Sequence, residues 1–148
     1  MKVTRRWSTL PCKQPVAMAI DTAHQRLFSG CRSGVAAVSD YNTGRVVATV
    51  PIGRGVDGIS FDPASADGFA SNADGTLTVF HQDARDRYHV SETLKTPLGS
   101  RNLGLDPANH CLFIPAGEFG PPAAGRSRGP VLPESFSVLV VERERTAR

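Results

Sequence analysis

The chain has 148 residues, of which 40% are hydrophobic and 21% charged, so it suits one domain with a buried core and is not disordered by composition. The formal net charge is +3, but Lys and Arg are scattered apart from short groups at 2–6, 126–128 and 142–148, which argues against a DNA reader with its basic residues on one element. No apolar run approaches the roughly 20 residues of a bilayer span, and Pro11, Cys12 and Lys13 interrupt the place where a secretory signal would carry its apolar segment.

Taken in chain order, the first element is a lone strand expected at about 5–10 (Arg5-Arg6-Trp7-Ser8-Thr9-Leu10). Three similar segments follow, each an alternating run that ends in Asp and a turn. The first closes on Ala19-Ile20-Asp21, the second on Ser60-Phe61-Asp62-Pro63 and the third on Gly104-Leu105-Asp106-Pro107. The three aspartates stand 41 and 44 residues apart, a period of about 40–45 that fits four-stranded propeller blades. The first repeat predicts strands at 16–20, 26–31, 35–39 and 45–51, and the second at 57–61, 68–72, 76–81 and 88–95. The third predicts strands at 102–105, 111–115 and 136–142, after which no fourth strand follows. Val, Ile, Thr and Phe dominate these runs. Asn42-Thr43-Gly44 and Ala73-Asp74-Gly75 supply turns where a positive φ is cheap. Residues 116–135 form a long Gly- and Pro-rich insertion, expected as an irregular loop.

The expected fold is all-β: a partial β-propeller of about three four-stranded antiparallel blades, in a single domain over 1–148. Blade 1 covers about 15–52, blade 2 about 55–96 and blade 3 about 99–144, and 5–10 sits where the outermost strand of a preceding blade would be. Three blades leave apolar faces to cover, expected at Leu103, Leu105, Leu112 and Phe113 on one side and at Ile20, Leu27 and Phe28 on the other. Two solutions stay open. Two chains pair head to tail into a six-bladed ring, each segment 5–10 completing the partner's third blade, or the chain is part of a longer propeller.

The runs Ala19-Ile20-Asp21, Arg26-Leu27-Phe28-Ser29-Gly30-Cys31-Arg32, Thr43-Gly44-Arg45-Val46-Val47-Ala48-Thr49-Val50-Pro51-Ile52-Gly53 and Asp74-Gly75-Thr76-Leu77-Thr78-Val79 resemble YVTN-type β-propeller repeats, the YncE-like group. The similarity covers 7–142, and Phe61-Asp62-Pro63 and Ala116-Gly117-Glu118-Phe119-Gly120 look like the C-terminal half of such proteins. The resemblance implies a seven-bladed propeller, commonly exported in bacteria, with binding or surface-associated roles and one DNA-associated branch. It carries no general catalytic constellation. It implies a periplasmic or extracellular location; a chain that is the full translation product, having no signal peptide, would be cytoplasmic.

Function is expected where the outermost-to-innermost and second-to-third strand connections gather on one face. The candidate ligand-binding residues there are Arg54, Asp57, Asn72, Arg101, Asn102 and Glu118. Asp57 and Arg101 hold equivalent repeat positions and approach one another as a ligand site or as a structural ion pair between blades. Cys12 and Cys31 fall on the same face of one blade, as a disulfide or as two reduced cysteines. Cys111 reads as a small buried hydrophobe and the four histidines as solvated turn residues. No nucleophile motif, metal-ligand spacing or cofactor fingerprint is present in the sequence. The leading function is a non-catalytic propeller that binds a protein or polymer or serves as a scaffold. The alternatives are a lactonase-type propeller hydrolase with an axial divalent cation, for which Asp57, Asn72, Asn102 and Glu118 are the candidate ligands, and a DNA-binding propeller.

Overall fold

β-branched and aromatic side chains at alternate positions favour extended backbone between turns. In the computed structural model, which describes residues 1–126 and 128–144, these runs are strands. The strands are β1 (Pro15–Asp21), β2 (Arg26–Cys31), β3 (Val35–Asp40), β4 (Val46–Pro51), β5 (Val56–Asp62), β6 (Asp67–Asn72), β7 (Thr76–Ala84), β8 (Arg87–Lys95), β9 (Gly104–Asp106), β10 (Cys111–Ala116) and β11 (Ser137–Val141). They form three antiparallel sheets in meander order: β1-β2-β3-β4, β5-β6-β7-β8 and β9-β10-β11. The molecule is a partial β-propeller, and no described residue is helical. No helix among the described residues is long and apolar enough to cross a membrane. Ser127 and the end of the basic group, 145–148, lie outside the described residues.

The turn after the first strand of each sheet follows one rule. Asp21, Asp62 and Asp106 each accept a backbone N–H two residues on, from Ala23, Ala64 and Ala108, all at 3.0 Å. The side chain three residues on, His24, Ser65 or Asn109, bonds the other carboxylate oxygen. The fourth residue, Gln25, Ala66 or His110, then takes a positive φ. The short polar side chain closes the turn on itself, which is why Asp stands there.

The sheets stack face to face, β1 beside β5 and β5 beside β9. Between the first two, Phe28 stacks on Phe61 with ring centroids 4.8 Å apart and meets Phe80 and Tyr88, each at 5.6 Å. Val38, Val50, Val56, Ile59 and Ala70 complete that core. Between the second and third, Phe69, Leu77 and Val79 pack on Leu112 and Ile114. Gly58 admits this close stacking, because an added Cβ would lie 2.8 Å from the Leu103 amide nitrogen.

This packing corrects the expected open faces. Phe28 and Leu112 are buried within the joints, and Leu103 and Leu105 pack against the second core. Ile20 and Phe113 are exposed as expected, and the other exposed apolar side chains of these faces are Val16 and Met18 on the first sheet and Val138 and Val140 on the third. Neighbouring strand residues point to opposite sides, so one position separates a core residue from an open one.

Residues 5–10 form no strand and join none of the described sheets. They rest on the outer part of the first sheet. Trp7 lies on Gly44, and Arg5 Nη1 donates to the Asn42 carbonyl at 3.1 Å. Behind them Cys12 and Cys31 are joined as a disulfide, Cα atoms 5.6 Å apart, buried with Ala37 and Val46. Cys111, expected buried, is half-buried, with its Sγ 3.3 Å from Glu142 Oε1. The insertion folds back as an irregular hairpin, with a bridge at Phe119 and Val131 and the Arg128 guanidinium 4.1 Å over the Phe119 ring.

Phe28→Ala empties the shared aromatic core and is expected to cost about 4 kcal/mol, read from urea unfolding; a loss below about 1 kcal/mol would contradict this packing. Cys12→Ser releases a bridge spanning 19 residues and is expected to cost about 3 kcal/mol on the loop-closure estimate. The same loss should follow reduction of the wild-type chain, and equal unfolding midpoints with and without reductant would refute the role assigned to the bridge.

Candidate functional site

The connections that carry the chain from one sheet to the next gather on one face, and backbone chemistry fixes them there. Gln14, Gly55 and Gly99 hold equivalent positions ahead of the first strand of each sheet, and all three have positive φ. From them runs a hydrogen-bonded ladder across the sheets. The Arg32 amide donates to the Gln14 carbonyl, Gly55 to Arg32, Ala73 to Gly55 and Gly99 to Ala73, each at 3.1 Å. The ladder satisfies groups that strand ends would leave bare and holds the inner ends of the three sheets side by side.

Asp57 sits over this ladder at the start of β5 and joins all three sheets. Its Oδ1 accepts from Arg32 Nη2 of the first sheet at 2.8 Å, and its Oδ2 from Arg101 Nη1, ahead of the third, at 3.0 Å. The Asp57 side chain is 16% exposed, whereas Arg32 and Arg101 are 48% and 55% exposed. The carboxylate is therefore engaged on both oxygens, and the guanidinium faces remain open to solvent. The expected approach of Asp57 and Arg101 takes the form of an ion-pair bridge, with Arg32 as the third member. Arg32 follows β2 directly, but only the stacking of the sheets brings it to Asp57.

The other candidates divide. Arg54 is exposed beside this bridge, and its backbone N–H donates to Asp74 Oδ2 at 2.7 Å. Asn72 is fully buried and donates to the Ala70 carbonyl and to the Thr76 and Thr78 hydroxyls, so it holds the end of the second sheet together. Asn102 is exposed, with its backbone packed against Gly58. Glu118 is exposed in the insertion, where its backbone is bonded to Ser135 and Leu132. Among the described residues no hydrogen bond links Asp57 to Asn72, Asn102 or Glu118. Among the same residues no group of three His, Cys, Asp or Glu side chains converges as metal ligands.

On the opposite face the structure holds a set of pairs that sequence reading missed. Each histidine, expected as a solvated turn residue, meets a carboxylate. His24 Nδ1 lies 2.7 Å from Asp21, His81 2.8 Å from Asp67, His89 3.0 Å from Asp83 and His110 2.5 Å from Asp62. Asp62 and His110 belong to different sheets, as do Asp67 and Arg143, and Arg26 and Asp86 at 2.6 Å. His24 stands three residues after Asp21 in the turn, a spacing that signals its pair. The pairs between sheets carry no such local signal. Burial works against the charge of Asp62, but hydrogen bonds from His110, Ala64 and Ser65 outweigh it and hold its pKa below the ordinary carboxylate value. Asp21 behaves likewise: burial opposes its charge, and His24 and Gln82 overcome that cost.

No family model matches the chain, and no curated protein matches it. Among solved structures it is similar to Kuenenia stuttgartiensis hydrazine synthase, with a TM-score of 0.63 and 13% identity, over 79% of this chain and 33% of that one. The chain thus spans about a third of that neighbour's length, and the likeness is one of fold.

Asp21 and Asp62 have depressed pKa values in the folded state, so they stabilise the fold above the unfolded carboxylate pKa of about 3.9 and lose that contribution as pH falls through their folded values. Urea midpoints are expected to fall steadily below about pH 4, with a shallower fall in Asp62→Asn. Equal slopes in the two proteins would show that Asp62 does not carry this effect.

Proposed function

We propose that this chain is part of a YVTN-type, YncE-like β-propeller that works without catalysis, as a binding or scaffold surface whose ladder-bearing face receives an acidic protein or polymer. One observation carries the reading: Asp57 is tied on both oxygens by Arg32 and Arg101, while those two guanidiniums stay open to solvent. A carboxylate so engaged is poorly placed to hold a cation or take a proton. Two half-exposed arginines on a fixed carboxylate, with Arg54 exposed beside them, are well placed to receive carboxylates or phosphates in bidentate fashion. The repeat runs support the family, and the buried Cys12–Cys31 bridge supports a periplasmic or extracellular setting. The same arginines are the specific observation behind a second reading, a DNA ligand.

Fluorescence anisotropy with a labelled poly-glutamate peptide at low salt tests the proposal. Arg32→Ala and Arg101→Ala are each expected to weaken binding about fivefold, equivalent to about 1 kcal/mol, and Asp57→Asn to strengthen it by removing the competing carboxylate. Tighter binding of duplex DNA than of the peptide, with affinity falling steeply as salt rises, would select the DNA reading. Unchanged peptide affinity in a triple Arg32, Arg54 and Arg101 alanine variant, or turnover of a lactone that Asp57→Asn abolishes, defeats the proposal.

A further inference from the structure

Side chains at equivalent repeat positions reveal a joint that one chain leaves half made. Phe28, Phe69 and Phe113 each stand seven residues after the repeat Asp and point toward the next sheet. Phe28 is 0% exposed and Phe69 9%, but Phe113 is 41% exposed. The residues opposite them in the third strands, Val38, Val79 and Val140, run 0%, 8% and 58%. The reverse faces give the complementary series. Ile59 and Phe61, which face the preceding sheet, are 7% and 8% exposed, while their equivalents on the first sheet, Met18 and Ile20, are 62% and 52% exposed. The forward face of the third sheet and the reverse face of the first are thus the two halves of the interface already built twice within the chain.

The strand inventory gives the same answer. Among the described residues, β11 has β10 on one side and no strand on the other. Residues 5–10 lie 41 positions ahead of β4, the fourth strand of the first sheet, which is the spacing from Asp21 to Asp62. They already rest on the first sheet where the outer strand of a preceding sheet would stand. The β3–β4 register pairs Val38 with Ala48 and Ser39 with Val46. Carried over by equivalence, it sets Trp7 opposite Val140 and Arg5 opposite Val141. The basic stretch Lys2, Arg5 and Arg6 then runs beside Glu142, Glu144 and Glu92, which with His110 and Arg143 border a groove of about 490 Å³ at the end of β11, where Arg143 is already paired with Asp67.

We infer that a second copy of this chain fills both places. Two chains stack head to tail, the reverse face of each first sheet on the forward face of the other's third sheet, with residues 5–10 of each lying along the other's β11 as its fourth strand. In that arrangement each joint between the copies repeats the joint already built within the chain. The inference is independent of the ligand proposed for the ladder-bearing face.

Light scattering on the eluted protein at micromolar concentration should give twice the chain mass of 15.8 kDa. Met18→Asp and Phe113→Asp, both at positions open in the single chain, should each reduce the mass to that of one chain while keeping a strand-rich circular dichroism spectrum. An equimolar mixture of the two variants should recover a two-chain species, because one joint in it carries neither change. Thr9→Cys with Val138→Cys, in a Cys111→Ser background, should form a disulfide between chains. A wild-type mass of one chain, an open series of larger masses, a Met18→Asp variant that stays dimeric, or a dimer without the Thr9–Val138 crosslink overturns the inference.

Discussion

The whole structure depends on the burial of apolar sheet faces against one another. Each sheet has side chains on both sides, so no single sheet can cover itself, and stability resides in the joints. Phe28 shows the constraint most clearly. It belongs to the first sheet, yet its aromatic neighbours Phe61, Phe80 and Tyr88 all belong to the second. The second joint is smaller and more aliphatic, built from Phe69, Leu77, Val79, Leu112 and Ile114. Small residues set how near the sheets come, as at Gly58 beneath Leu103.

Polar chemistry then locks what the apolar faces bring together. On one face the backbone ladder through Gln14, Arg32, Gly55, Ala73 and Gly99 crosses both joints, and the Arg32–Asp57–Arg101 bridge crosses them again in side chains. On the other face the turn aspartates are buried and would be costly if unpaired. They are satisfied partly by their own turns and partly by the neighbouring sheet: Asp62 by His110, Asp67 by Arg143 and Asp21 by Gln82. Both rims of each joint are therefore stitched by hydrogen bonds, and the hydrophobic middle is held between them.

This division of labour bears on function. A carboxylate that already answers two guanidiniums holds less negative potential for a cation or a proton. Asp57, at the mouth of the stack, answers Arg32 and Arg101, and Asn72 is turned inward to hold strand ends. Arg32, Arg54 and Arg101 keep exposed guanidiniums on that face, together with the exposed Asn102 and Glu118. The disulfide at Cys12 and Cys31 binds the N-terminal segment to the first sheet on the same side, so residues 5–10 are kept against the sheet they flank.

How much was legible beforehand follows from how far each interaction reaches along the chain. Alternation and turn residues alone located the strands of the first two sheets, because period two and the Asp-led turns are local properties. The same reading placed Asp57 and Arg101 at equivalent positions 44 residues apart, and put Cys12 and Cys31 on one face of one blade. Tertiary structure alone decided which side of each strand is core: Phe28 and Leu112 face a neighbour, whereas Met18 and Val140 face outward. It also paired His110 with Asp62 and Arg32 with Asp57, and left 5–10 without a sheet. Those outcomes depend on how one sheet lies on the next. The contacts join residues tens of positions apart, through a rotation that no local pattern of side chains records.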